Sequence, residues 1–221
     1  MDFDFSPIAD NWRFLGYGLL VTVQLSLATI AAATVLGIGL ALGRLYGRSW
    51  LRIPLTFYVD SMRAIPVLVV LVWTFFAFPL LTGVSLPPFW AALAALTLHI
   101  AAYVSEILRA GLSSIRPGQV RAARALGMSG PQIVRKILFP QAVVRMLPAY
   151  GSLLSVTIKD TAIASVIAVP ELMRQSDTIS AQSFRPIEVF TTAMLVYFLI
   201  LFPVTRLVDA FYRRVAHLGR S

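Results

Sequence analysis

Long apolar runs separated by short polar stretches organise the chain from end to end. A helix needs about 20 mainly apolar residues to cross the hydrocarbon core of a bilayer. Five stretches meet that requirement, at residues 14–42, 64–81, 89–108, 147–169 and 189–207. The pattern predicts an all-α membrane protein with five transmembrane helices, forming a single transmembrane domain over residues 1–221. Composition agrees: 58% of residues are hydrophobic and 13% charged, where a soluble domain carries about a quarter of its residues as charges.

The net charge is +9. Nucleic-acid binding would require the basic residues to cluster on a water-facing domain; here they sit between apolar runs and report topology. Arg44, Arg48, Arg52 and Arg63 lie around the first loop. Arg109, Arg116, Arg121, Arg124, Arg135, Lys136 and Arg145 lie between spans three and four, and Arg206, Arg213, Arg214 and Arg220 follow span five. These are fifteen of the nineteen basic residues, and the positive-inside rule puts them in the cytoplasm. Arg13, Arg174 and Arg185 fall on the opposite side. The N-terminus is therefore expected outside and the C-terminus inside. Asp2, Asp4 and Asp10 near the N-terminus argue against a cleaved signal peptide, which begins with a positive region. Gly16, Gly18, Gly37, Gly39 and Gly43 fit either close helix contact or ordinary glycine usage in a membrane helix. With no Cys, and His99 and His217 isolated, the chain offers no convincing metal site.

The loop between spans three and four, about residues 109–146, is patterned. Residues 117–126 favour a helix, and Gly127 stands where a left-handed cap would want glycine. Ser129, Pro131 and Gln132 have the spacing of a capping box that starts a second helix. In it Ile133, Val134, Ile137 and Leu138 share one face, with Gln132, Arg135 and Lys136 on the other. Pro140 is expected to stop this helix before span four. Such a pair could read DNA, lie on anionic lipid, or dock on a cytoplasmic partner. A position pinned at the bilayer suits DNA poorly, and periodicity does not separate the last two.

Charged side chains inside a span are costly and usually face the protein interior. Lys159 and Asp160 fall in span four, about 100° apart on a helix, so neither neutralises the other. Either can meet substrate, or pair with a neighbouring helix and fix packing. Thr157 and Thr161 share a face beside them, and a threonine there tends to bond its own backbone. Glu106 and Arg109 are expected to form an interfacial pair, and His99 and Gln24 to make interhelical hydrogen bonds.

Several motifs carry a family resemblance. Tyr103, Glu106, Arg109 and Gly111 are followed by Pro117, Gly118, Gln119, Ala122, Ala123, Ala125, Leu126, Gly127, Ile137, Pro140, Gln141 and Ala142. Together they resemble the signature of the permease subunits of ABC importers. Arg63 with Pro66, Leu147 with Pro148, and Lys159, Asp160 and Thr161 resemble the polar amino acid branch of that family. The resemblance implies that Arg121, Ala122, Ala123, Gly127, Ile137 and Pro140 form a cytoplasmic coupling-helix pair that meets an ATPase. It implies ABC ATPase subunits carrying ATP and Mg, a second permease subunit (identical or not), an extracytoplasmic solute-binding protein, and the bacterial inner membrane as location. The implied function is alternating-access import of polar amino acids or related solutes such as opines. Lys159, Asp160, Thr161 and Thr157 would line the substrate pathway. The chain itself has no phosphate-cradling Gly-rich loop and needs no cofactor. A nucleotide-independent channel or a membrane-embedded enzyme are the alternative functions. Three positions depart from the family pattern: Arg121 where Glu is usual, Phe139 where Leu is usual, and Ser152 where Asn is frequent.

Overall fold

The computed structural model describes residues 3–216. Nine helices and no strand occur among them when stretches that run on without a break are taken as one. A short α1 (Ser6–Asp10) leads into α2 (Trp12–Tyr46), the first apolar helix long enough to span. Then come α3 (Ser49–Ala64) and α4 (Val67–Thr82), bent by 109° to each other. α5 (Pro88–Ser113) precedes the short α6 (Pro117–Ala125), and α7 runs over Gly130–Ile167. α8 (Leu172–Ser183) and α9 (Pro186–Val215) complete the order.

Four helices, α2, α5, α7 and α9, are each long and apolar enough to cross a membrane, and the bent pair α3–α4 makes the fifth candidate. The expected second span, residues 64–81, is thus only the α4 limb of a broken element. Its corner is a proline effect. A residue before proline is pushed out of the helical region. Ile65, ahead of Pro66, accordingly takes extended backbone at φ −88° and ψ 133°.

A larger correction concerns span four. Pro140 does not stop the helix begun at Gly130; α7 continues through it to Ile167. A π turn over Val134–Leu138 widens the helix just before the proline, which lacks the N–H that the α-helical ladder would use. α4 shows the same device, with a π turn over Trp73–Ala77 ahead of Pro79. The expected boundary at residue 147 therefore falls inside one continuous helix.

α5 is the central post. More than half of its apolar window (56%) is buried, against 17% for the edge helix α9. It packs most extensively on α2. Near one end Val21 and Leu25 meet Leu71, Ala91, Ala95, Leu96 and Ile167. Further along, Ala33 and Leu40 meet Val59, Ala101, Ala102, Val104 and Leu153. Small residues let backbones approach where lipid gives no hydrophobic drive between helices. The glycines divide accordingly. A Cβ on Gly37 would come within 2.6 Å of the Val104 Cβ, and one on Gly18 within 2.7 Å of the Gln175 Cγ. Gly16 and Gly39 face open space. Large apolar side chains, among them Val35, Leu80, Phe198 and Leu199, point outward, as suits a chain whose solvent is lipid.

Gly37→Leu is expected to destabilise the chain by about 1–3 kcal/mol, the usual cost of overpacking. Gly39→Leu, with nothing near it, is expected to leave stability unchanged. Unfolding by SDS titration in mixed micelles distinguishes the two.

Candidate functional site

The loop between α5 and α7 folds as its sequence signals require. α6 ends in a paired backbone motif of the kind that closes helices. Gly127 N–H donates to Arg124 C=O at 2.9 Å and Met128 N–H to Ala123 C=O at 3.1 Å. Gly127 sits at φ 75°, in the left-handed region that glycine enters without strain. Ser129 then caps α7, and its own N–H donates to Gln132 Oε1 at 2.8 Å. That reciprocal pair completes the capping box. Ala123 and Ile133 are buried, which closes the two helices on each other. Arg121, Ala122, Arg124 and Gly127 are exposed along the turn, Pro140 is exposed, and Ile137 is half-buried. Val134, expected on the apolar face with Ile133, is 48% exposed because the π turn rotates it outward.

The polar residues of span four sit near the far end of the same helix. Lys159 is exposed and Asp160 half-buried, at the point where α7 tightens into a 3-10 segment over Thr161–Ile167. Neither side chain makes an ion pair or hydrogen bond among the described residues. Thr157 and Thr161 are fully buried, donating to Leu153 C=O and Ile158 C=O, both at 2.8 Å. Their hydroxyls are thus engaged with their own helix, as such residues commonly are.

Glu106 is the hub of a larger cluster than its sequence neighbour suggests. Arg109 donates to both its oxygens, at 2.6 and 3.0 Å. Arg44 from the end of α2 lies 3.2 Å away with a side chain only 7% exposed, and Arg63 from the end of α3 lies 3.9 Å away. One carboxylate therefore joins α2, the α3–α4 corner and α5. Arg145 of α7 donates to the C=O of Ser114, tying α7 to the residue that follows α5.

Two further buried carboxylates carry no motif. Glu171 is 0% exposed and caps α8, accepting from Met173 N–H at 2.8 Å and Arg174 N–H at 2.7 Å. The Tyr197 hydroxyl of α9 donates to it at 3.0 Å, while Leu172 N–H donates to Thr22 Oγ1 of α2 at 3.1 Å. Glu188, at the start of α9, pairs with Arg185 at 3.5 Å and accepts from Asp4 N–H. The hydrogen bond from the Ser6 backbone holds the Asp4 carboxyl below its usual range. The only sequence hint for Glu171 is Pro170 ahead of it, since Glu is not a usual N-cap.

Two expected interhelical bonds are not made. His99 is buried against the Tyr103 ring with centroids 5.3 Å apart, but its Nδ1 has no hydrogen-bond partner among the described residues. Gln24 lies exposed on α2. His217 and Arg220 lie outside the described residues. No group of three metal-ligating side chains occurs among the described residues.

A bundle of long apolar helices, carrying an exposed helix-turn unit at the start of one span and unpaired charges farther along it, has the build of a transport permease. Residues 33–217 match the family described as binding-protein-dependent transport system inner membrane component. The chain belongs to that family of membrane transport subunits. It is 36% identical over 215 residues to the octopine transport system permease protein OccM of Rhizobium radiobacter, covering 94% of this chain and 88% of that one. It is 33% identical to the arginine transport system permease protein ArtQ of Bacillus subtilis, covering 97% and 98%. Among solved structures it superposes on an amino acid ABC transporter crystallised with histidines, with a TM-score of 0.90, 31% identity and coverage of 97% and 100%. The MetNI methionine ABC transporter in an inward-facing form shares the fold at a TM-score of 0.78 and 21% identity, over 93% of this chain and 98% of that one.

Glu106→Gln removes the carboxylate that three arginines face. With Arg44 buried, the loss is expected to be about 2 kcal/mol, below the range for a fully buried pair because Arg63 and Arg109 reach solvent. Arg109→Gln removes a half-exposed partner and is expected to cost less than about 1 kcal/mol. SDS-titration unfolding of both variants measures the contrast.

Proposed function

We propose that the chain is the permease subunit of an ATP-driven importer for polar amino acids or chemically similar solutes such as opines. In this reading the N-terminus is outside, the C-terminus inside, and the multi-pass chain lies in the bacterial inner membrane. It works as a dimer with an identical or related permease, two ABC ATPase subunits that carry ATP and Mg, and an extracytoplasmic solute-binding protein. Relatives over nearly the whole length support the substrate class: they are named for transport of octopine, arginine, cystine and glutamine.

The observation that carries the proposal is the single helix from Gly130 to Ile167. It begins at the turn of Arg121, Ala122, Ala123 and Gly127, of which all but Ala123 are exposed. By the rise of an α-helix, Lys159 and Asp160 lie about 40 Å farther along it. An ATPase gripping the turn, with Ile137 and Pro140 at its root, would tilt the whole helix. The charged pair, with Thr157 and Thr161 beside it, would then be carried from one access state to the other. An amino acid zwitterion offers a carboxylate to Lys159 and an ammonium to Asp160. Arg121 gives the turn a positive charge, so the matching ATPase surface is expected to be acidic there.

Reconstitution with the cognate ATPase and binding protein in proteoliposomes, with a panel of amino acids and opines, tests this. Uptake is expected only with ATP; uptake that persists without it would return the chain to the channel class. Gly127→Val forces a β-branched residue into the left-handed region and is expected to lower ATP-driven uptake at least about tenfold with insertion intact. Lys159→Ala is expected to reduce uptake and alter specificity, and unchanged values for both would remove Lys159 from the pathway.

A further inference from the structure

A cavity of about 170 Å³ lies between α7 and α9. The helices touch beside it, where a Cβ on Gly151 would collide with the Val208 side chain. Glu171, just past α7, meets Tyr197 of α9, so the two helices run antiparallel. Four polar side chains line the cavity: Ser152 and Ser155 from α7, Thr205 and Asp209 from α9. The exposed side chains earlier on α9, Phe198, Leu199 and Phe202, are all apolar.

The oxygens in the cavity are placed to accept. Ser152 donates to Pro148 C=O at 3.0 Å and Thr205 to Phe202 C=O at 2.8 Å, which leaves lone pairs on both hydroxyls. Ser155 is 7% exposed, and its Oγ has no partner among the described residues. Asp209 is exposed and makes no ion pair among the described residues. Arg206, one turn back, lies over the Phe202 ring at 5.0 Å instead. A carboxylate among acceptor oxygens calls for a cation.

Lys159 stands above this cavity on the same face of α7. Ser152 and Lys159 are both exposed, and their spacing brings them within about 20° of each other around the helix. From the contact of Gly151 with Val208, Lys159 lies up α7 and Asp209 just down α9. The two are thus about 13 Å apart along the helix axes. Cα–Cβ bonds lean toward the N-terminus of their own helix. In antiparallel helices Lys159 and Asp209 therefore lean toward each other's level, and the gap between ammonium and carboxylate is narrower than that. A molecule with its ammonium and carboxylate on one carbon is too short to reach both. One that carries a further cation at the end of a flexible side chain is long enough.

We infer that Asp209, with Ser152, Ser155 and Thr205, forms a subsite for the side-chain cation of the solute, and that the solutes are basic amino acids and their N-substituted derivatives. This rests on the importer reading above, in which Lys159 takes the solute's carboxylate, and it narrows the substrate class from polar to cationic.

Direct binding to the permease separates this subsite from selection by a binding protein. In the detergent-solubilised permease–ATPase complex, without binding protein, radiolabelled arginine is expected to bind at least about tenfold more tightly than glutamine, the gain from one charge-assisted contact. Asp209→Asn is expected to bring arginine down to the level of glutamine and leave glutamine unchanged, while Asp209→Glu keeps the preference. Lys159→Ala is expected to weaken both solutes alike. Equal binding of the two solutes, or an arginine preference that survives Asp209→Asn, would overturn the subsite. So would an Asp209→Asn variant that weakens both solutes equally, which would make the residue structural. Binding that ignores Lys159→Ala, or binding of neither solute, would overturn the pathway reading itself and the subsite with it.

Discussion

In lipid a backbone has no water to fall back on, so every N–H and C=O must be bonded within the protein. The course of α7 is consistent with that constraint. Pro140 and Pro148 both lie within Gly130–Ile167, yet the helix is unbroken. The π turn at Val134–Leu138 takes up the disruption just before Pro140. A broken helix would expose unsatisfied carbonyls and would also separate the exposed turn from Lys159 and Asp160. Continuity meets the demand of the solvent and, in the importer proposed above, would let the helix transmit movement.

Carboxylates hold the ends of the other helices. Glu106 gathers the ends of α2 and α3 onto α5, Glu171 ties α8 to α9, and Glu188 holds the N-terminal segment to the start of α9. Glu171 and Glu188 lie at helix starts, where backbone groups lack intrahelical partners, and Glu106 faces arginines in the last turns of α2 and α3. The two hydrophobic clusters between the helices are built of Ala, Val, Leu and Ile.

Much of this is legible in the sequence because the membrane enforces simple rules. Apolar length locates both ends of α2 and α5 and the start of α9 within five residues but sets the end of α9 eight residues early, and the Gly127 and Ser129 signals locate the turn between α6 and α7 because both are local backbone chemistry. The errors have a common origin. Pattern alone does not mark Pro66 as a corner, and it takes Pro140 for a stop. The two prolines act oppositely because one directs the preceding residue into extended backbone while the other is absorbed by a π turn. Arg44 reads as a loop charge that reports topology, although its partner Glu106 is 62 residues away and no local pattern encodes such a pairing. Glu171 escapes notice for the same reason: its neighbour Leu172, bound to Thr22, and its partner Tyr197 converge only in three dimensions.

The unpaired charges also say that one chain is an incomplete object. Lys159 is exposed toward the far end of α7, and an ammonium left in hydrocarbon is costly. α9 buries little of itself, and its exposed Phe198, Leu199 and Phe202 can face lipid at no cost. Lys159 has no such option. A second permease facing it, with a hydrated pathway between the two, would supply the water or counter-charge that this chain withholds. In the dimer proposed above, the side of α7 that carries Lys159 would face the partner, and α9, with its exposed apolar side chains, would face lipid.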